Sequence, residues 1–339
     1  MPSTYKDIQK LTGFSLSTIS RYFNGENVKA PTRKAIQEAA DQLDFHINDY
    51  ARGLRSKKSK IIGILIPDIT SSFITTIIYH MGRLLRLQGY GCLIYDCNSS
   101  KKVEIEAMDF LLSKSVDGII TFPMDLNPVQ LNNARSKNIP IVLFNRVIPG
   151  FMADAVISNY EMAGKMAAEY LLSKGHRKAA VISGLPIFTN MTESKNSFIR
   201  NFRGALSFDS NFLIDENSQV MDELIKASYR IIRGLLSKPF DITALFFTNY
   251  ELTLGAINAI NELGLKIPED ISIIGFDNLQ LTKIIKPSLT LFDWPIEKAA
   301  DETVRLILKR LKDNTMVDFE TVVLDPRLIE GVSVADLKI

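Results

Sequence analysis

The residue types that most often catalyse reactions or bind metal ions are few in this chain and lie far apart. The 339 residues include two cysteines, Cys92 and Cys97, and three histidines, His46, His80 and His176. Two cysteines cannot form a four-cysteine zinc site, and no HExxH pattern places two histidines on one helix face. The chain has no phosphate-binding P-loop, no GxGxxG turn and no GxSxG nucleophile elbow. The sequence therefore predicts a protein that is not an enzyme and needs no cofactor or metal.

Basic side chains are concentrated in the first 60 residues. Eleven Lys and Arg stand there against six Asp and Glu, a net charge of +5, whereas the rest of the chain has a net charge of −3. A small basic segment beside a mildly acidic remainder indicates contact with a polyanion. A solvated basic surface would give the same count, so charge alone leaves both interpretations open.

Short helices are expected to organise this basic segment. Thr4 begins a first helix with a T-x-x-D capping pattern, Gly13 ends it, and Ser15 caps a second helix over residues 16–23. A third helix is expected over residues 31–43. Two short helices joined by a tight glycine-containing turn are typical of a helix-turn-helix unit, although other three-helix bundles contain such a turn.

The second helix of such a unit enters the major groove of DNA. Its first turns would present Leu16, Ser17, Ser20 and Arg21. Hydroxyl groups and one arginine suit phosphate and base contacts, and an exposed leucine suits a thymine methyl group. Farther along, residues 48–56 form a marginal helix with Leu54 as its apolar residue. We expect this segment to become ordered on its partner.

From residue 61 onward, short apolar segments alternate with amphipathic ones. Strands are predicted at 61–66, 92–95, 118–122, 141–144, 155–157, 179–183, 244–247 and 271–275. Helices are predicted near 73–88, 103–114, 128–137, 160–174, 196–208, 222–236, 250–263 and 296–312. Strands buried on both faces and separated by helices form parallel sheets. The pattern predicts two lobes of five or six strands each, with a ligand cleft at the carboxyl ends of the strands.

These motifs together resemble the LacI/GalR family of bacterial transcriptional regulators. KDIQKLTGFSLSTISRYFNG is similar to the family's usual KDVAKLAGVSxSTVSRxLNG, and NDYARGLRS is similar to its PNxxARSLR hinge. IGILIPDITSSF, VDGIITFP, PIVLFNR, GHRKAAVISG, ALFFTN and LGLKIPEDISIIGFDN follow in the family's order and spacing. The resemblance extends from about residue 4 to residue 330.

The resemblance implies a repressor that binds a near-palindromic operator as a homodimer under the control of a small-molecule effector, a sugar or sugar derivative. It implies an all-α helix-turn-helix domain at 1–46 and a hinge helix and linker at 47–59. An α/β two-lobed, periplasmic-binding-protein-like domain with two doubly wound parallel sheets follows. Its N-terminal subdomain is expected at 60–158 and 294–322, and its C-terminal subdomain at 159–293 and 323–333.

The resemblance also implies the residues that contact DNA. In the family, the hinge leucine, here Leu54, wedges between base pairs in the minor groove. Other contacts and caps fall on matching positions of the head and hinge. The implied DNA-binding set is Thr4, Ser15, Leu16, Ser17, Thr18, Ser20, Arg21, Asn24, Asn48, Ala51, Leu54 and Arg55.

For the effector, the resemblance implies a cleft whose contacts lie at strand ends. The implied set is Phe73, Arg146, Phe198, Asn249, Asp277 and Trp294. Phe198 stands where the family carries its main effector-binding arginine, and Trp294 replaces a frequent glutamine. Core packing is the alternative for both aromatic side chains, and helix capping is the alternative for Asp277. If both aromatic rings face the cleft, a neutral carbohydrate or polyol is favoured over an anion.

The remaining sequence features concern location. The longest apolar run is about a third of the length that a membrane helix needs, and the N-terminal residues MPSTYKD are polar. We therefore expect a cytoplasmic protein without a membrane partner. The competing function, a ligand-binding protein of the sugar-receptor fold without a DNA role, would not require the basic helical head.

Overall fold

A computed structural model describes residues 3–23, 26–45, 58–124, 126–185, 189–210, 220–276, 286–313 and 318–338. Contacts between residues divide the chain into two compact units, Met1–Ser59 and Lys60–Ile339, which we call the head and the body. Within the described residues, no helix has the length and apolar character that a membrane crossing requires.

The helices and strands are numbered in chain order. The helices are α1 Tyr5–Thr12, α2 Leu16–Phe23, α3 Ala30–Gln42, α4 Ser72–Leu87, α5 Lys101–Ser113, α6 Pro128–Ser136, α7 Tyr160–Ser173, α8 Thr189–Asn201, α9 Val220–Leu236, α10 Tyr250–Glu262 and α11 Ile296–Lys312. The strands are β1 Ile61–Ile66, β2 Gly91–Asp96, β3 Gly118–Thr121, β4 Ile141–Phe144, β5 Asp154–Ser158, β6 Ala179–Ser183, β7 Ala205–Asp209, β8 Ala244–Phe247, β9 Ser272–Phe276, β10 Thr290–Asp293, β11 Thr321–Leu324 and β12 Arg327–Ile329.

The head is a bundle of α1, α2 and α3. Thr4 and Asp7 form the expected capping box at the start of α1, and Gly13 ends that helix with a φ of 71°. One buried isoleucine from each helix forms the centre of the core: Ile8, Ile19 and Ile36. Because each helix is too short to be stable alone, this shared core fixes the angle at which α2 is presented.

The body consists of two lobes, each built on a six-stranded sheet. Lobe 1 has the strand order β11-β5-β4-β3-β1-β2, and all its pairings are parallel. Lobe 2 has the order β12-β10-β9-β8-β6-β7, in which only the edge pairing of β12 with β10 is antiparallel. This arrangement confirms the predicted fold class, because each lobe is a doubly wound sheet with helices on both faces.

Each sheet separates two hydrophobic cores. In β1, Ile62, Ile64 and Ile66 belong to a core shared with α4 and α11, whereas Leu65 belongs to a core shared with α5 and α6. Successive side chains of a strand point to opposite faces, so a strand buried on both faces reads as a continuous apolar run. This explains why the central strands were recognisable in the sequence.

One predicted helix and several sheet edges differ from expectation. The helix predicted over 196–208 ends at Asn201, and residues 205–209 form β7 instead. Gly204 lies between them at a φ of 93°, and a Cβ atom there would lie 2.6 Å from the carbonyl oxygen of Arg177. That left-handed turn ends the helix and starts the strand. β10, β11 and β12 were likewise not predicted from the sequence.

The chain crosses between the lobes at three places, after β5, after β10 and after β11. The third crossing follows Leu324, which keeps all of β11 in lobe 1 instead of dividing it after residue 322. The crossings are bonded to one another. Asn159 Nδ2 donates to Asp325 Oδ1 at 2.8 Å, and Arg327 pairs with Asp293 at 2.6 Å. These bonds tie together the segments about which the lobes can turn.

Candidate functional site

The start of α2 forms a polar surface on the head. The Thr18 backbone N–H donates to Ser15 Oγ at 3.2 Å, which caps the helix as expected. Ser15 Oγ also shares hydrogen bonds with the hydroxyls of Ser17 at 2.8 Å and Thr18 at 2.9 Å. A cluster of hydroxyls at a helix N-terminus is suited to phosphate oxygens, which accept hydrogen bonds and favour the positive end of the helix dipole.

Beside these hydroxyls, an apolar and a basic side chain reach the solvent. The Leu16 side chain is 40% exposed. Arg21 forms an exposed ion pair between its Nε and Glu26 Oε2 at 3.2 Å, and its Nη2 donates to the Asn27 carbonyl oxygen at 3.2 Å. An exposed ion pair is worth less than about 1 kcal/mol, so a stronger acceptor can replace it.

The remaining head residues are placed as follows. Thr4 is exposed, and its Oγ1 donates to Asp7 Oδ2 at 2.7 Å, while Ser20 is half-buried on α2. Asn24, Asn48, Ala51, Leu54 and Arg55 lie outside the described residues, and so does Asp277 of the body. The contacts expected of these six residues stay predictions.

A cavity of about 950 Å³ lies between the two lobes of the body. Four of the predicted effector residues line it: Phe73 and Arg146 from lobe 1, Asn249 from lobe 2, and Trp294 from the second crossing. Parallel sheets place the carboxyl ends of their strands at one edge, which is why residues far apart in sequence meet here. The volume is suitable for a small organic ligand.

The prediction that Phe198 contacts the effector is wrong, because Phe198 does not line the cavity. Its ring is fully buried on α8, stacks on Phe202 at a centroid distance of 5.2 Å, and contacts Phe246 at 5.1 Å. The apolar face of a helix that covers a sheet packs against the sheet. Phe198 belongs to this face, although the family resemblance had placed it at the effector cleft. Phe198 is therefore a core residue of lobe 2 and not an effector contact.

Aromatic side chains form much of the cavity wall. Trp294 stacks on Phe276, with centroids 5.7 Å apart and planes 17° apart, and Tyr160 contacts Trp294 at 4.7 Å. Phe122 and Phe144 face the cavity from lobe 1. Flat aromatic faces pack against the C–H faces of sugar rings and other small apolar surfaces. Tyr160 was missed in the sequence because it is the first residue of a helix, without a motif of its own.

Tyr160 also provides a polar group at the aromatic wall. Asn145 Nδ2 donates to Tyr160 Oη at 3.0 Å. Burial raises the pKa of Tyr160, while the hydrogen bond from Asn145 acts in the opposite direction. The phenol therefore stays protonated and can donate a hydrogen bond.

The predicted polar contacts are already engaged within the protein. Arg146 Nη1 donates to the Met124 carbonyl oxygen, and Asn249 caps α10 by accepting from the Leu252 N–H at 3.0 Å. Asn249 Nδ2 also donates to Glu251 Oε2 at 2.8 Å. Both ends of the Asn249 amide are thus used, so this residue positions the N-terminus of α10 at the cavity.

Arg146, a residue of lobe 1, influences the pKa of a carboxyl group in lobe 2. Burial raises the pKa of Glu193 on α8, the carboxylate of Glu161 raises it further, and Arg146 lowers it. The charge of Arg146 in lobe 1 thus favours the ionised form of Glu193 in lobe 2. Glu251, which also lines the cavity, was missed, although its place two residues after Asn249 at a strand-to-helix junction was the available signal.

Comparison with known proteins places this architecture in a family. The Periplasmic binding protein-like domain matches residues 168–334. The chain is 30% identical over 317 residues to the HTH-type transcriptional repressor PurR of Aliivibrio fischeri (strain MJ11), covering 92% of each protein. It is 28% identical to Catabolite control protein A of Priestia megaterium, covering 97% of this chain and 98% of the relative.

Solved structures agree with the sequence relatives. The Lac repressor dimer bound to operator and the anti-inducer ONPF has a TM-score of 0.84 at 19% identity, covering 99% of this chain and all of that one. A LacI family transcriptional regulator from Enterococcus faecium with bound ribose has a TM-score of 0.69 at 27% identity, covering 82% of this chain and all of that one. The first of these similarities concerns the fold alone.

A helical head followed by a two-lobed body with an interlobe cleft defines a class of ligand-controlled regulators. Within that class, the chain belongs to the LacI family of transcriptional regulators. Its relatives over nearly the whole chain are transcriptional repressors, so it is a transcriptional repressor and not an enzyme, and this part of the predicted function is confirmed. The alternative without a DNA role fails because the match to repressors spans the head as well as the body.

Proposed function

We propose that the protein binds a near-palindromic operator as a homodimer, with α2 of each head in a major groove. The observation that carries this proposal is the exposed surface of α2. This surface presents the apolar side chain of Leu16, the hydroxyl of Ser17 and the guanidinium group of Arg21, on a segment with a net charge of +5. The similarity to an operator-bound Lac repressor dimer supports the same arrangement. Operator DNA as the partner also favours a cytoplasmic location.

The hinge at 47–59 takes part in this proposal through its sequence. Leu54 would wedge into the minor groove between the two half-sites, while Asn48, Ala51 and Arg55 would contact the sugar-phosphate backbone or the partner hinge. Inserting an apolar side chain between base pairs bends DNA, and the bend brings more protein surface into contact.

The effector belongs in the cleft, and a neutral carbohydrate or polyol fits it best. Aromatic rings cover one part of the cavity wall, and hydroxyl, amide and carboxylate side chains cover another. Trp294 and Phe73 would stack on one face of the ligand, while Tyr160 and Asn145 would form hydrogen bonds with the ligand's hydroxyl groups. The ribose-bound relative from Enterococcus faecium supports this class of ligand. Asp277, which follows β9 in the sequence, would accept hydrogen bonds from hydroxyl groups of the ligand.

Ligand binding would reach the operator through the three crossings. A ligand that contacts both lobes favours one angle between them, and in a dimer that angle sets the separation of the two hinges. Coupling energies of this kind are typically about 1–3 kcal/mol, or roughly 5- to 150-fold in operator affinity. By linkage, operator binding must change effector affinity by the same factor.

A mobility-shift assay with the DNA upstream of the gene tests the proposal. Operator affinity should fall steeply as the salt concentration rises, because binding releases counterions from the phosphates. A panel of sugars and polyols should contain compounds that change the affinity. Asp277→Ala should abolish that response and leave operator affinity intact. An affinity that hardly depends on salt would contradict DNA binding by the head.

A further inference from the structure

Two residues that line the cleft, one in each lobe, have a buried hydroxyl group without a hydrogen-bond partner among the described residues. The hydroxyls are Ser99 Oγ, in the loop after β2, and Thr248 Oγ1, directly after β8. Ser99 is 4% exposed, Thr248 is 1% exposed, and both line the cavity. A buried hydroxyl that has lost its water and gained no other partner is unfavourable. Such hydroxyls beside a cavity indicate where a bound polar group would supply the missing partner.

Two buried carboxyl groups accompany these hydroxyls, again one from each lobe. Glu251 belongs to the cavity lining, whereas Asp68 follows Pro67, which lines the cavity and accepts a hydrogen bond from the Ser99 N–H. Glu251 lines the cavity at the start of α10, is 8% exposed, and accepts a hydrogen bond from Asn249. Asp68, in the loop after β1, is 3% exposed, and its Oδ1 accepts from the backbone N–H of Thr70 at 2.8 Å and from Thr70 Oγ1 at 2.6 Å. Both side chains accept hydrogen bonds when ionised.

We propose that Ser99, Thr248, Asp68 and Glu251 form an interlobe subsite that takes a hydrogen-bond-donating group of the effector, either a hydroxyl or a protonated amine. Glu251 is the residue that selects for the donor. This inference rests on the proposed role of the cleft as the effector site. The subsite differs from the aromatic wall because its four side chains carry only hydroxyl or carboxyl groups. Each lobe contributes two of these side chains.

The charge of the subsite decides which ligand group it accepts. Among the described residues, neither Asp68 nor Glu251 forms an ion pair within 4.0 Å. The arginines of the cavity wall are bonded elsewhere, since Arg146 donates to Met124 O and Arg327 pairs with Asp293. A phosphate or carboxylate placed here would meet two acids, whereas a donor would complete the bonds of carboxylate and hydroxyl oxygens.

The state of Glu251 depends on pH near neutrality. Burial raises its pKa to about 7; a backbone hydrogen bond opposes this change, and the carboxylate of Asp68 raises the pKa further. The surrounding elements carry further charged or titratable side chains: Lys226 with Asp222 and Glu223 on α9, His80 on α4, and Glu297 and Lys298 on α11.

A donor prefers the ionised carboxylate, and the ionised fraction increases as the pH rises through 7. A donor ligand should therefore bind about tenfold more tightly at pH 8 than at pH 6. A ligand that instead accepts a hydrogen bond from protonated Glu251 would show the opposite dependence. The sign of the pH effect thus identifies the ligand group.

Calorimetric titration of the full chain with D-sorbitol and D-glucamine tests the subsite. The second polyol carries a primary amine, protonated throughout this pH range, in place of one hydroxyl of the first. We expect at least one of them to bind, more tightly at pH 8, and expect Glu251→Gln to remove the pH dependence. Glu269→Gln, an exposed carboxylate of the same lobe, is the matched control and should preserve it. Stronger binding of glucamine identifies an amine as the natural donor, and stronger binding of sorbitol identifies a hydroxyl.

Ser99→Ala and Thr248→Val provide a second set of variants if Glu251→Gln does not fold. Each should weaken binding of the polyols severalfold without moving the pH at which binding changes. Failure of both polyols to bind at high concentration, or an unchanged pH dependence in Glu251→Gln, overturns the subsite.

Operator binding measured on the same preparations separates this outcome from the proposed function. If sugars still alter operator affinity in Glu251→Gln with the pH dependence of the wild type, the subsite is wrong and the effector role of the cleft stands. If the polyols bind as expected but no sugar or polyol alters operator affinity, the subsite stands and the effector role fails.

Discussion

The head and the body carry their candidate binding residues in different ways. In the head, Ser15, Leu16, Ser17 and Arg21 lie within seven consecutive residues on one short helix and its cap, at the surface. In the body, the cavity is lined by the ends of many segments between residues 67 and 327, and several of its polar groups are buried.

This difference has consequences for substitutions. Exposed side chains of the head can change without disturbing the core of Ile8, Ile19 and Ile36. In the body, cavity residues stand directly beside core residues, as Phe276 does beside Phe246. We therefore expect head variants to separate binding from stability cleanly, and body variants to do so only when the side chain lies on the cavity side.

The largest expected effect tests the distinction between core and cavity aromatics. Phe198→Ala should lower the free energy of unfolding by about 3–5 kcal/mol, because it removes a fully buried ring from packed surroundings. Urea denaturation of the full chain measures this loss. Phe73→Ala is the matched variant: its half-buried ring should cost less stability, and effector affinity should fall. Equal stability losses for the two variants would contradict the division.

The next effect tests the surface of the head. Arg21→Ala should weaken operator binding by about 1–3 kcal/mol if Arg21 bonds a base. It should leave the melting temperature almost unchanged, because only an exposed ion pair with Glu26 is lost. Quantitative mobility shifts on operator and scrambled DNA measure the loss. Arg33→Ala removes the same charge from α3 and should affect both DNAs alike.

A smaller effect should follow from the exposed apolar residue of α2. Leu16→Ala should weaken operator binding by about 1 kcal/mol, which corresponds to roughly one methylene group fully buried against a thymine methyl. The loss should disappear on an operator in which that thymine is replaced by uracil. Were Leu16→Ala to lower the stability of the head instead, the residue would belong to the core.

The smallest effect concerns pH and should be confined to the body. His176 is buried, and its Nδ1 lies 2.7 Å from Thr243 Oγ1; burial lowers the pKa of the imidazole below that of the unfolded chain. Its contribution to stability is therefore present above the unfolded pKa and is lost as the pH falls through the folded pKa. Thermal melting of wild type and His176→Gln between pH 7 and pH 5 checks this sign. A wild-type curve that gains stability relative to the variant on acidification would contradict it.

The sequence anticipated some elements better than others for identifiable reasons. β1, β3, β4, β6 and β8 are central strands with apolar residues on both faces, and their positions follow from composition alone. β7, β11 and β12 lie at sheet edges or pair antiparallel, so exposed residues interrupt their apolar runs. Their identity depends on a neighbouring strand that local patterning does not contain.

Among the site residues, the sequence by itself determined the surface of α2. Helical periodicity and the Ser15 cap dictate which side chains of eight consecutive residues face outward. The family resemblance also pointed to Phe73, Arg146, Asn249 and Trp294, which line the cavity. Only the tertiary structure decided that Phe198 packs into a core, that Tyr160 joins the aromatic wall, and that Ser99, Thr248, Asp68 and Glu251 lie in one region. Exposure along one helix is a local property, whereas the cleft depends on how two sheets, linked by three crossings, place distant loops against each other.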